Sequence, residues 1–322
     1  MTFLLIVATA ALVLATALGD HRDWRLSLMG HFRAHLAGAS LAGAVLAALL
    51  GSGTLVVVLL LCAAVNIYVI LRATRPSREA VEGTKVRLFF SNLLEGNRST
   101  GLVLDWVGRE RPDLFVCAEA HRHWRLALKA LESQYAHVAG SEQGDVMIFS
   151  RRPFESRPLE LFAEVGHAVV ARVDGLTVVG VHTGSPESRL RKDALDDLLA
   201  KVGAAVRETT GPAVVVGDFN ASPWTPPVRR LMAETGLRCA AGSLGGSFPA
   251  RLGGRTIPGW FGLPIDIVLV GRGAQAIRRR GPLVGSDHWP IAAELSYGLE
   301  RSVSGVARDA SAAGLRSARP TP

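Results

Sequence analysis

Several apolar runs in this sequence end in a carboxylate, an amide or an imidazole, at the positions where β-strand text would otherwise continue. In Val214-Val215-Val216-Gly217-Asp218-Phe219-Asn220, three β-branched residues lead into a glycine, then a carboxylate and an amide two apart. Residues two apart on an extended chain share a face, so Asp218 and Asn220 can enter one pocket. An aspartate there can orient or deprotonate a water while the asparagine amide donates to a charged oxygen, which suits attack at phosphorus. The plainer alternative is an Asx-turn closing a strand.

Ser286-Asp287-His288 places a carboxylate beside an imidazole just before a final apolar run. Sequence neighbours point oppositely, so each needs its own partner: a cation for Asp287 and a second carboxylate for His288. Ile265-Asp266-Ile267 offers that carboxylate, at a position where an unpaired charge would be costly to bury. An Asp–His pair fixes the tautomer and supports a protonated ring beside an anionic substrate. Asn92, Glu119 and His182 close three further apolar runs. For His182, Asp145 and Glu142 are both candidate carboxylate partners.

These residues need strands to hold them. Candidate strands are Lys85–Ser91, Leu114–Glu119, Val146–Ser150, Ala168–Val173, Thr177–His182, Ala213–Asp218, Ile265–Val270 and Ile291–Ser296. Candidate helices are Gly101–Glu110, His123–Ser133, Pro186–Arg207 and Pro226–Thr235; in the third, Leu190, Leu195, Leu198, Leu199 and Val202 keep helical spacing. Hairpins mixed with helices predict an α/β domain built as a sheet sandwich, not a purely parallel sheet.

Ahead of this domain the text is different. Residues 1–19 carry no charge and reach ~28 Å as a helix, enough for a bilayer core. After a polar connector, 20–35, a further 36 residues from Leu36 to Leu71 run without a charge, which is too long for one span. Gly51-Ser52-Gly53 is a turn signal in its middle, so the expectation is three transmembrane helices, 1–19, 36–50 and 54–71. The division is then a membrane anchor over 1–75, a linker over 76–84, a catalytic domain over 85–298 and a disordered tail over 299–322. Arg22, Arg25, Arg33, Arg72, Arg75 and Arg78 all fall on the domain side of such an anchor, so the arginine count points to a multi-pass membrane protein with a cytoplasmic domain.

Composition adds little. The 322 residues are 48% apolar and 20% charged with a net charge of +8, which excludes a disordered chain and fits anionic partners without choosing among them. Cys62, Cys117 and Cys239 lie too far apart in sequence for a zinc knuckle or a disulfide framework. Arg278-Arg279-Arg280 reads either as a phosphate grip or as a solvated strand edge. Trp224, Trp260 and Phe261 read either as packing or as a rim for a base or a lipid tail.

Taken together, Asn92, Glu119, His182, the GDFN of 217–220, Asp266 in IDI and the SDH of 286–288 resemble the endonuclease/exonuclease/phosphatase superfamily in order and spacing. The likeness covers roughly residues 84–298. It implies a four-layer α/β/β/α sandwich and metal-dependent phosphoester hydrolysis, here preceded by membrane spans. On this resemblance Glu119 is the main Mg²⁺ ligand, with Mn²⁺ as the alternative ion, Asn92 lies nearby in the metal site, and Asp287 contributes to the metal site or holds the site in register. Asp218 positions or activates the attacking water, Asn220 binds a phosphate oxygen, His182 and His288 stabilise charge or pass a proton, and Asp266 orients His288. Two departures weaken any transfer of specificity: no Gln precedes Glu119 in CAEA, and IDI lacks the His that many members carry after its Asp. The implied partners are a phosphate-containing substrate, nucleic acid or lipid phosphate, and the bilayer, with no obligate protein partner. The competing reading is a catalytically inactive phosphate-binding adaptor anchored in the membrane.

Overall fold

The computed structural model describes residues 2–77, 81–141, 144–159 and 165–298. The tail at 299–322 and the alternative His182 partner Glu142 lie outside the described residues. The chain begins with α1 (Thr2–Leu18), a short α2 (Trp24–Ser27) that passes through a 3₁₀ turn (Leu28–Phe32) into α3 (Arg33–Leu49), and α4 (Gly53–Ala73). The stretch expected as a plain connector is therefore largely helical. Asp23 starts it, its carboxylate accepting from the Arg25 N–H at 2.9 Å, and no proline follows to stop it.

Trp24–Leu49 and Gly53–Ala73 are each long and apolar enough to cross a membrane, and Thr2–Leu18 is a shorter apolar helix. Their outer surface is apolar, with Phe3, Leu14, Val45, Leu49, Val57 and Leu61 exposed. Their mutual contact is polar at one level. Buried Arg33 donates to Asp20 at 2.9 Å and to Asn66 Oδ1 at 3.1 Å, and Asn66 Nδ2 donates to Thr16 at 2.9 Å. A buried guanidinium persists only with such partners.

The remainder alternates strands and helices: β1 (Thr84–Asn92), α5 (Thr100–Glu110), β2 (Leu114–Ala118), α6 (His123–Leu128), β3 (His137–Gly140), β4 (Met147–Ser150), β5 (Phe154–Pro158), β6 (His167–Val173) and β7 (Leu176–His182). Then come α7 (Arg189–Arg207), β8 (Ala213–Asp218), α8 (Pro226–Thr235), β9 (Arg238–Cys239), the small hairpin β10 (Arg251–Leu252) and β11 (Arg255–Thr256), β12 (Asp266–Val270), β13 (Ala274–Arg280) and β14 (Ile291–Tyr297). Two six-stranded sheets result, ordered β13-β14-β1-β2-β4-β3 and β5-β6-β7-β8-β12-β9. The pairs β1–β2 and β7–β8 are parallel and the other strand pairs antiparallel.

Strand alternation sorts the apolar side chains into three layers. Leu88, Phe90, Val116, Val178, Val214 and Val268 fill the space between the sheets. The opposite phase packs outward: Phe89 and Phe115 against Trp106 and Trp124 of α5 and α6, and Val179 and Val215 against Leu198 and Leu231 of α7 and α8. This is the α/β/β/α sandwich, and each strand expected from sequence is present with its ends moved by no more than one residue. The strands not expected, β3, β5, β9 and β13 with the β10–β11 hairpin, lie mostly at sheet edges, where one unpaired side lets the text stay polar.

Candidate active site

The same alternation that builds the inner core also delivers the site. Along β1 the inward positions are Val86, Leu88 and Phe90, so the next in phase, Asn92, points between the sheets. On β8 the phase Val214, Val216 leads to Asp218; on β12 Asp266 precedes Val268 and Val270; on β7 Val178 leads through Gly180 to His182. Register then sets these ends side by side, with His182 opposite Asp218 across β7–β8 and Asp218 opposite Asp266 across β8–β12.

Asp218 is at the centre and 1% exposed. Its Oδ2 accepts from Asn92 Nδ2 at 3.0 Å, and its Oδ1 from the Asn220 N–H at 2.8 Å. Two Asp–His pairs aim at it. His182 gives its Nδ1–H to Asp145 at 2.8 Å and sets Nε2 3.9 Å from Asp218 Oδ2; His288 gives its Nδ1–H to Asp266 at 2.8 Å and sets Nε2 3.8 Å from the same oxygen. A carboxylate can only accept, so each Nδ1 carries its proton and each Nε2 is turned to the reaction space.

Charge follows from this geometry. Burial alone would lower both histidines, but the carboxylates outweigh it: Asp145 with Asp218 raises His182 to about 9, and Asp266 with Asp218 raises His288 to about 10. Burial and neighbouring Asp266 push the Asp218 carboxyl up to about 6, against the pull of His288 and His182. Burial also works to raise Asp145, yet the charge and hydrogen bond of His182 hold it below the usual carboxylate range. The cluster is thus two cationic imidazoles flanking a carboxylate whose proton affinity is enhanced.

Beside it lies a second group. Glu119 leaves β2 with a left-handed φ of 55°, accepts from Asn92 Nδ2 at 3.0 Å through Oε1 and from the Glu95 N–H at 2.8 Å through Oε2. Asn92 Oδ1 is held by the Leu94 N–H at 2.9 Å. Each of these oxygens keeps a further lone pair, and hard oxygen donors so oriented suit a small divalent cation such as Mg²⁺. Asp218, Asp266 and His288 also place one ligand atom each within 4.8 Å of one another. There, Asp266 Oδ2 is engaged by His288 Nδ1, while Asp266 Oδ1 is buried and has no donor among the described residues.

Asn220, also at a positive φ of 43°, donates Nδ2–H to the Thr183 carbonyl at 2.7 Å, which ties the end of β8 to that of β7. Asp287 is half-buried; its carbonyl accepts from the Ala250 N–H at 2.6 Å and its carboxylate lies 3.5 Å from Ser286 Oγ. Sequence reading left the partner of His182 open, and it is Asp145. It missed His121, whose Nε2 meets Asp145 Oδ1 at 2.9 Å, and Phe248, whose ring lies 4.8 Å from that of His288. His121 stands two residues after Glu119 on the same strand-end loop, which is the one signal that could have found it. Arg278 is buried and donates to the Gly242 and Gly245 carbonyls at 3.2 and 2.8 Å, while Arg280 lies over Trp289 at 4.8 Å. Arg278 thus holds structure, while Arg280 is exposed. Trp224 is packed, and Trp260 and Phe261 are exposed.

Solved structures share this fold. The chain is 16% identical to D. rerio TDP2 complexed with a single-strand DNA product, covering 66% of this chain and 99% of that one with a TM-score of 0.54. It is 18% identical to an endonuclease/exonuclease/phosphatase from Beutenbergia cavernae, covering 66% and 72% with a TM-score of 0.52, and 15% identical to Staphylococcus aureus beta toxin with bound magnesium ions, covering 65% and 99% with a TM-score of 0.51. No curated protein matches the chain. Residues 86–288 match the model of the Endonuclease/Exonuclease/phosphatase family, the span that runs from the first site strand to His288. With its fold, its strand-end carboxylates and its paired histidines, the chain belongs to this family of metal-dependent phosphoesterases.

Proposed function

We propose that this chain is a membrane-anchored, Mg²⁺-dependent phosphoesterase that hydrolyses a phosphodiester or phosphoanhydride bond in a lipid-linked phosphate. One observation carries the lipid reading: the apolar helices hold the loops at the mouth of the site. Trp224, four residues beyond Asn220, donates its indole N–H to the Gly30 carbonyl at 2.8 Å, and His35 Nε2 donates to the Phe261 carbonyl at 2.7 Å. The first loop follows Asp218 and the second leads into Asp266. Beside these attachments Trp260 is 83% exposed and Phe261 55%, a bare aromatic surface of the kind that settles at a membrane–water interface. In this reading α1, α3 and α4 span the bilayer, and the arginines of the domain side favour a cytoplasmic domain.

Glu119 and Asn92 would hold Mg²⁺, with Asp287 nearby in sequence to His288. When bound, the ion neutralises charge on the phosphate oxygens. The protein's own residues do the rest. Asp218 Oδ2, fixed by Asn92, takes the proton of the attacking water, a role suited to a carboxyl raised by burial. His182 and His288 present protonated Nε2 groups to the phosphoryl oxygens, and either can return a proton to the leaving oxygen. Asn220, anchored to Thr183, keeps a second amide N–H for a phosphate oxygen.

The test is Mg²⁺-dependent phosphate or headgroup release by the full chain in vesicles, beside its Glu119→Ala and Asp218→Asn variants. The substrates are lipid phosphates, lipid pyrophosphates, DNA and RNA. Turnover of lipids alone, lost in both variants, is the expected result. Cleavage of nucleic acid with no lipid turnover would make it a tethered nuclease, and no turnover at all with retained phosphate binding would favour the adaptor.

A further inference from the structure

Separate from the catalytic carboxylates but reached by Ala221, next to Asn220, a cavity of about 420 Å³ opens between the segment joining α1 to α3 and the starts of α7 and α8. Its walls bring Arg22 and His31 from that segment against Lys192, Asp196 and Arg230 from the two helices. Most charges there are already engaged. Asp20 is bound by Arg33 and Arg229, both at 2.9 Å, and Lys192 by Asp196 Oδ2 at 2.6 Å. Arg22 and Arg230 have no hydrogen bond or ion pair among the described residues. The other oxygen of Asp196, Oδ1, is buried and has no donor.

The cavity therefore combines two uncommitted guanidinium groups with one buried acceptor. A ligand that matches carries an anionic group for the arginines and a hydroxyl for Asp196. Its position narrows the choice. Arg22 and His31 lie between the end of α1 and the start of α3, where apolar helix gives way to polar text, which is headgroup level if the helices span. We propose that this cavity binds the headgroup of an anionic, hydroxyl-bearing phospholipid, its phosphate between Arg22 and Arg230 and its hydroxyl donating to Asp196. The proposal rests on the membrane reading and is independent of the catalytic one.

It is tested by native mass spectrometry of the full chain in detergent with phosphatidylglycerol, phosphatidylcholine or soluble glycerol 3-phosphate, and of the Arg22→Ala/Arg230→Ala variant. Both arginines are exposed enough to replace without loss of core, and an unchanged unfolding temperature verifies that. Retention of phosphatidylglycerol over phosphatidylcholine, weakened about thirtyfold in the double variant, is expected from two lost phosphate contacts. Equal retention of the two lipids, or unchanged phosphatidylglycerol binding in the variant, overturns the proposal. Retention of glycerol 3-phosphate without lipid selectivity also overturns it, leaving a soluble-phosphate site. Flotation with phosphatidylcholine vesicles, run in parallel, separates the two ideas: a chain that floats but shows no lipid selectivity defeats the cavity alone, whereas one that does not float defeats the membrane reading with it.

Discussion

Asp218 receives an amide from Asn92, a backbone N–H from Asn220 and the facing Nε2 atoms of two histidines, so its replacement should silence the site. We expect Asp218→Asn to lower turnover by ~10²–10⁴-fold, since the amide cannot take a proton, and to unfold cooperatively at a somewhat lower temperature, since its NH2 cannot accept from one of the two N–H groups that Asp218 holds. Asp145 is the sharper probe of mechanism, because it touches no reacting atom. Its charge and hydrogen bond raise His182 to about 9; with Asp145→Asn that support goes, the imidazole loses its proton at lower pH, and the alkaline limb of the rate profile should move toward neutrality. A profile that keeps its alkaline limb would rule out a protonated His182 in the reaction. The same pair makes stability depend on pH. His182 sits above its unfolded value of about 6.5, so its contribution is complete below that pH and is lost as the pH climbs through about 9; thermal unfolding of the full chain should show this decline, reduced in His182→Gln. The Asp266–His288 pair was legible in the text, because a buried strand carboxylate needs a partner and the SDH needs an acceptor. Asp145 stood only as one of two candidates for His182 and His121 was missed, since they sit in the β3–β4 turn and the β2–α6 loop of the sheet facing β7, and such loops leave no periodic signal.

At the scale of elements, parallel pairing of β7 and β8 sets the site, and it requires Gly217. A Cβ added there would run into the Val181 carbonyl oxygen on the neighbouring strand, a backbone atom that cannot yield. Gly217→Ala should therefore destabilise by more than ~3 kcal/mol in denaturant unfolding and take activity with it. Gly101 on α5 is the counter-case, with open space where its Cβ would lie. There Gly101→Ala should be neutral or stabilising by ~0.5–1 kcal/mol, through helix propensity and a less free unfolded chain. Central strands such as VVVGD declared themselves because both of their faces are buried. Edge strands such as β13, Ala274–Arg280, did not, because an edge tolerates charge on its open side and even buries Arg278 beneath a glycine-rich turn.

The whole molecule joins apolar helices to a sandwich through a few specific contacts, with Ile70, Ala73 and Trp224 forming a shared apolar cluster. Trp224→Ala should cost ~3–5 kcal/mol, because it opens a cavity and orphans the Gly30 carbonyl, and it is read by thermal unfolding of the full chain. Trp260→Ala should leave unfolding unchanged and slow turnover on vesicles more than on detergent-dispersed substrate, if the exposed ring rests on the bilayer. What the sequence determined by itself is local. Apolar runs of helix and strand length, the phase of their side chains and the polar residue that ends each run all follow from backbone geometry and burial, and these are written along the chain. Tertiary structure decided what lies across from what: Asp145 on His182, two imidazoles on one carboxylate, the helices on the loops beside the site, and the cavity between Arg22 and Arg230. Those pairings depend on sheet order and on the meeting of segments far apart in sequence, so no local pattern encodes them, and the strength of each electrostatic contact arises only once water has been displaced.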